Sequence, residues 1–132
     1  MAENNELAPE IRSIIANAEK RKGTEERIEV EPRSLEDSFQ KTRSSGNFPI
    51  ISEFKPTSPT KDSVEHKDPV EAAQSMVGAG ASAISVLTEN KHFGGSPENL
   101  KRIREAVDVP VLSKDFIIKK DQLNTVEADT VL

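Results

Sequence analysis

Three charged residues, Glu53, Lys55 and Lys114, stand where this sequence can do chemistry. Glu53 and Lys55 lie in Pro49 to Thr60, P-I-I-S-E-F-K-P-T-S-P-T. That stretch opens as a strand: Ile50, Ile51 and Phe54 are types that fit a pleated, buried surface. It closes as a loop, because Pro56 and Pro59 cannot donate to a sheet ladder. Side chains two apart share a strand face, so Ile51, Glu53 and Lys55 run from apolar to charged along one side. Leu112 and Lys114 repeat the pattern at the end of a later strand, Pro110 to Ser113. A carboxylate and ammonium groups at the C-terminal ends of strands are where α/β proteins keep acid–base and anion-binding groups. The plainer reading is a surface ion pair at a fraying strand end.

The elements that must position these residues alternate. Leu7 to Lys20 predicts a helix with Ile11, Ile14, Ile15 and Ala18 on an apolar stripe, stopped at Gly23. A charged linker, Thr24 to Pro32, carries little pattern. Ser34 starts a second helix with an acidic third residue, Asp37, and Gly46 ends it. After the first strand comes a polar loop, Lys55 to Lys67. Asp68-Pro69-Val70-Glu71 then opens a helix with a capping acid and proline at its first position, and Gly78 and Gly80 end it. These glycines follow a helix and precede a strand, the reverse of a phosphate-binding loop. Ala83 to Leu87 is an apolar strand, Thr88 to Ser96 a loop, and Ser96-Pro97 caps a helix with Leu100, Ile103 and Val107 inward. After Pro110 to Ser113, a charged loop leads to a short helix containing Leu123 and Val126, and Asp129 to Leu132 begins a fourth strand. Two helices followed by alternating strands and helices predict a parallel sheet with crossover helices on its face. Length alone allows a small open sheet or the first half of an eight-fold barrel. The division expected is 1–48 as an N-terminal helical extension and 49–132 as the start of the α/β unit.

Composition narrows the function. The chain has 132 residues, 34% hydrophobic and 31% charged, enough apolar content for one globular core. A net charge of −5 argues against a nucleic-acid binder. With no cysteine and only His66 and His92, the sequence offers no disulfide, thiolate nucleophile or histidine zinc site. No apolar run approaches a membrane span of about 18 residues, and the polar, acidic Met1 to Glu10 is unlike a signal peptide. The expected location is the cytoplasm.

Four strings together carry a resemblance: I-I-S-E-F-K-P-T-S-P-T, D-P-V-E-A-A, S-V-L-T-E-N-K-H-F-G-G-S and V-P-V-L-S-K-D-F-I-I. In this order the chain resembles the indole-3-glycerol-phosphate synthases, TIM-barrel lyases of tryptophan biosynthesis. The resemblance runs to Leu132 but covers only the first half of a barrel, about four strands, since that fold needs about 200 or more residues. It implies closure of an indole ring on a phosphorylated anthranilate substrate, with loss of carbon dioxide and then water, and no cofactor or metal. By the same resemblance Lys114 matches the general acid, Lys55 the lysine that binds substrate and assists dehydration, and Glu53 the carboxylate that pairs with both. Ser58 and Pro59 match substrate contacts in the loop after the first strand. Phe93 and Phe116 match the aromatic walls around the anthranilate ring, and Leu112 and Leu132 line the same slot. Core filling is the plain alternative for each phenylalanine. His92 matches no family role and reads as a solvated loop residue.

The chain departs from the family in two ways. The glutamate that serves as general base and the glycine-rich phosphate cradle would lie beyond Leu132, so the expectation is a fragment, inactive alone, with open edges on its first and last strands. The stretch from Gln122 to Asp129 is also shorter than the family's helix and lacks the usual glycine before Ala128-Asp129, so its crossover is expected to reach with difficulty. Competing readings are a phosphoribosylanthranilate isomerase, disfavoured by the missing cysteine, and a non-catalytic half-barrel that binds other chains. The oligomeric state is not legible.

Overall fold

The computed structural model describes residues 6–57 and 68–132. The chain order is α1 (Pro9–Lys20), α2 (Leu35–Ser44), β1 (Ile51–Phe54), α3 (Pro69–Gly78), β2 (Ala83–Leu87), α4 (Pro97–Ala106), β3 (Val111–Lys114), a 3-10 helix (Lys120–Thr125) and β4 (Thr130–Val131). Three helices start where the sequence predicts. The side chains of Ser34, Asp68 and Ser96 accept the backbone N–H of Asp37, Glu71 and Asn99, each at 3.1 Å. Such a cap stabilises its helix by about 1 kcal/mol. Proline stands in the first turn of α1, α3 and α4, where its missing N–H costs nothing.

The four strands form one parallel sheet in the order β1-β2-β3-β4. Its register aligns Glu53 with Ser85, Ser85 with Leu112, and Leu87 with Lys114. Strand alternation then sorts the side chains. Phe54, Ile84, Val86 and Val111 face the helices and are buried against Ala72, Ala73, Leu100 and Ile103. Glu53, Ser85, Leu87, Leu112 and Lys114 lie on the opposite face. Consecutive strand–helix units in one parallel sheet, with helices on one side only, form the arc of a partial (β/α) barrel.

The two leading helices hold opposite ends of this sheet. Ser38 of α2 donates to the Ser82 carbonyl at 2.6 Å, and the Arg33 guanidinium donates to the Val109 carbonyl at 3.0 Å. Ser82 and Val109 precede β2 and β3, so α2 sits below the strands. α1 instead reaches residues that follow β2 and β3, through Ser13, Asn17 and Arg21.

Several expectations need correction. Ile11 is 39% exposed, and only Ile14 and Ala18 of the α1 stripe are buried, because α1 touches the loops along a narrow line. Ile51 is 42% exposed, since it lies on the uncovered face of β1, an edge strand here, and Ile50, just before β1, is 56% exposed. The segment containing Leu123 is a 3-10 helix whose buried side chain is Gln122, while Leu123 is 43% exposed. The short crossover nonetheless reaches: β4 pairs with β3, Leu112 opposite Thr130. A 3-10 helix rises about 2.0 Å per residue against about 1.5 Å for an α-helix, so fewer residues span the same gap. The linker before α2 is not patternless in space. Thr24 and Ile28 donate backbone N–H groups to the carbonyls of Asp121 and Asn124 at 3.2 and 2.9 Å, strapping it along the 3-10 helix.

Candidate active site

The sheet brings Glu53, Lys55 and Lys114 together at the C-terminal ends of β1 and β3. Lys114 Nζ donates to Glu53 Oε2 at 3.0 Å, and Lys55 Nζ stands 3.8 Å from Glu53 Oε1. Ser85, buried on the intervening strand, donates its hydroxyl to Glu53 Oε2 at 3.4 Å. One carboxylate therefore faces two ammonium groups from two strands. The side chains are 26%, 44% and 43% exposed for Glu53, Lys55 and Lys114. Ion pairs this open contribute about 0–1 kcal/mol each, so stability gives little reason for the cluster. Its geometry suits proton delivery and the holding of an anion.

Two partly buried phenylalanines stand over the same end of the sheet. Phe93, in the loop after β2, stacks on Phe116, two residues beyond Lys114, with ring centroids 6.4 Å apart and planes 17° from parallel. Leu112 is buried one turn of the pleat below Lys114. Leu132 follows β4 on that face but is 69% exposed. Ser58 and Pro59 lie outside the described residues. Among the described residues no group of three His, Cys, Asp or Glu side chains is placed to hold a metal ion. No helix there is long and apolar enough to cross a membrane.

The residues that shape these loops went unrecognised in the sequence. Asp115 accepts both Arg21 guanidinium nitrogens at 2.7 and 2.9 Å, the Thr88 hydroxyl at 2.7 Å and the Phe116 N–H at 2.6 Å. Gln122 accepts from Ile118 and Lys119 N–H groups and donates to the carbonyls of Ala18 and Arg21. Glu89, 1% exposed, accepts the N–H groups of His92 and Phe93 at 2.7 and 3.0 Å and meets His92 Nδ1 at 2.9 Å. Burial alone would push the Glu89 carboxyl up; the bonds from the His92 ring and the two backbone N–H groups outweigh it and hold it below its usual value. His92 is accordingly not a solvated residue: its side chain is 14% exposed and its Nε2 lies 3.0 Å from Ser13 Oγ of α1. One signal was available for Glu89. An acid two residues after an apolar strand, and three before a backbone N–H in a turn, has the spacing of a helix cap.

Gly95 closes this loop. Its N–H donates to the Glu89 carbonyl at 2.9 Å. A β-carbon there would overlap the Leu87 carbonyl oxygen and come within 2.8 and 2.9 Å of Leu87 C and Thr88 Cα, all backbone. Gly95→Ala is expected to lower stability by about 1–3 kcal/mol, the usual range for forced overpacking. Urea titration should show a lower midpoint at unchanged slope.

Comparison with known proteins bears on the family of the chain. The family model described as Indole-3-glycerol phosphate synthase matches residues 4–132. An indole-3-glycerol phosphate synthase of Haloarcula marismortui is 52% identical over 132 residues, covering 100% of this chain and 49% of the relative. Its counterpart in Halobacterium salinarum is 48% identical over 132 residues, covering 53% of that protein. One from Carboxydothermus hydrogenoformans is 42% identical over 119 residues, 86% of this chain and 45% of the relative. The chain spans about half the length of the curated relatives it matches. With its strand-end carboxylate and lysines, and a family match over nearly its whole length, this chain belongs to the indole-3-glycerol phosphate synthase family.

Proposed function

We propose that the full-length protein carrying this sequence is a cytoplasmic carboxy-lyase of tryptophan biosynthesis. It converts 1-(2-carboxyphenylamino)-1-deoxyribulose 5-phosphate to indole-3-glycerol phosphate. Lys114 delivers a proton to the substrate carbonyl as the ring closes. The ring carboxylate then leaves as carbon dioxide. Lys55 binds the substrate and assists loss of the hydroxyl as water. Glu53 orients both amines and keeps them from repelling each other. Phe93 and Phe116 grip the anthranilate ring, with Leu112 and Leu132 completing the slot, and Ser58 and Pro59 contact substrate from the loop after β1. Residues 1–48 act as an extension fastened onto 49–132.

The observation that carries this reading is the shared carboxylate: Glu53 meets Lys114 at 3.0 Å and Lys55 at 3.8 Å at the strand ends, in a member of this family. The test is direct. Full-length protein is given the substrate, and indole fluorescence and released carbon dioxide are followed together. Both should appear in equal amounts. The 132-residue chain alone should stay silent, since it spans about half the length of its relatives. A folded full-length protein yielding neither product would overturn the proposal.

A further inference from the structure

Glu89 is the most thoroughly buried acid near the candidate site, yet it belongs to none of the roles above. Its two oxygens do different work. Oε2 takes the backbone N–H groups of His92 and Phe93 at 2.7 and 3.0 Å. Oε1 takes the His92 ring nitrogen at 2.9 Å and the Asn17 amide of α1 at 3.3 Å. The turn so fixed carries Phe93, and the Phe93 carbonyl in turn accepts the Thr57 N–H at 3.0 Å. Thr57 follows Lys55 by two residues. One enclosed carboxylate thus sets the Phe93 ring against Phe116 and anchors the chain leaving β1.

We infer that Glu89 is a positioning residue, which holds Phe93 and Thr57 in place for binding the aromatic ring of the substrate and takes no part in proton transfer. The inference rests on the reading of Phe93 as a wall of the anthranilate slot. A buried acceptor that organises backbone donors loses its effect when truncated, because the donors are left without partners. A glutamine can keep the two backbone bonds through its carbonyl oxygen.

The experiment uses the full-length protein with fluorine-labelled phenylalanine, its resonances assigned by Phe93→Leu and Phe116→Leu. Glu89→Ala should move the Phe93 resonance away from its stacked position, and Glu89→Gln should keep it within the wild-type line. In steady-state kinetics Glu89→Ala should raise KM about tenfold with kcat within about threefold, and Glu89→Gln should restore most of the difference. In a Phe93→Leu background, Glu89→Ala should change KM less than about twofold, the mark of two residues acting as one unit. Should Glu89→Ala not fold, Glu89→Asp, which withdraws the carboxylate by one methylene, is read in the same way. An unmoved Phe93 resonance, or KM effects that multiply in full, would overturn the inference. A wild-type protein without turnover would defeat the proposed function alone, leaving the resonance to decide the role of Glu89.

Discussion

Lys114→Ala in the full-length protein is expected to lower kcat by about 10²–10⁴-fold, the usual contribution of a positioned general acid, while KM changes only severalfold. Lys114 Nζ is 3.0 Å from Glu53, which reaches it across β2 from the end of β1, and its side chain is 43% exposed, so the amine has a fixed partner and an open approach for substrate. Its removal costs the fold little, because an exposed pair is worth about 0–1 kcal/mol. Urea midpoints of wild type and variant should therefore nearly coincide, which separates a catalytic loss from unfolding. Lys114→Arg sharpens the test. Arginine keeps the positive charge but does not give up its proton, so KM should stay near wild type while kcat remains low. A kcat within threefold of wild type for Lys114→Ala would remove the general-acid assignment.

What the sequence disclosed, and what it hid, follows from the range of each interaction. The caps at Ser34, Asp68 and Ser96 are legible because donor and acceptor are three residues apart. The common face of Glu53 and Lys55, and of Leu112 and Lys114, follows from strand alternation alone. That the two pairs meet needs only a parallel sheet with β2 between them, which the alternating order predicts. The resemblance supplied the roles; periodicity supplied the placement.

Most of the misses are long-range, although Glu89 meets the His92 and Phe93 N–H groups only three and four residues on. His92 looks solvated because its partner Ser13 is 79 positions away. Nothing near Arg21 in the chain points to Asp115, 94 positions on, which takes it in a bidentate pair. The burial of Gln122 is hidden for the same reason, since its acceptors are the carbonyls of Ala18 in α1 and of Arg21 just after it. Ile11 departs in the other direction: the stripe is real, but α1 rests on loop tips rather than on a broad core, so only Ile14 and Ala18 find cover. Ile50 and Ile51 carry strand propensity without burial, because propensity reports fit to a pleated surface and not what lies over it.

Asp129 provides the largest expected effect on stability. From sequence it is only the residue that opens the fourth strand. In the fold its side chain is fully enclosed and accepts four bonds: Arg33 N–H at 2.9 Å, Val111 N–H at 2.8 Å, and Arg104 Nε and Nη2 at 3.2 and 2.9 Å. It thereby joins the entry to α2, the end of α4 and the start of β3 at a single carboxylate. Arg104 also donates to the Glu31 carbonyl at 2.9 Å, so its guanidinium is held on both sides. Asp129→Ala would leave that cation and two backbone N–H groups without their acceptor, at a cost of about 3–5 kcal/mol, and Asp129→Asn should cost nearly as much because its amide would face the donors. The pH dependence has a definite sign. Burial favours the neutral acid, but the bonds from Arg104, Arg33 and Val111 outweigh it and hold the carboxyl below its usual value. A folded value below the unfolded one, about 3.9, means the stabilisation is complete above that pH and is lost as pH falls through the folded value. Urea titrations should therefore show wild type and Asp129→Asn far apart at pH 7 and drawing together below pH 4. A gap that stayed constant down to the folded value would mean that the charge of Asp129 contributes nothing and that its enclosure is a matter of shape.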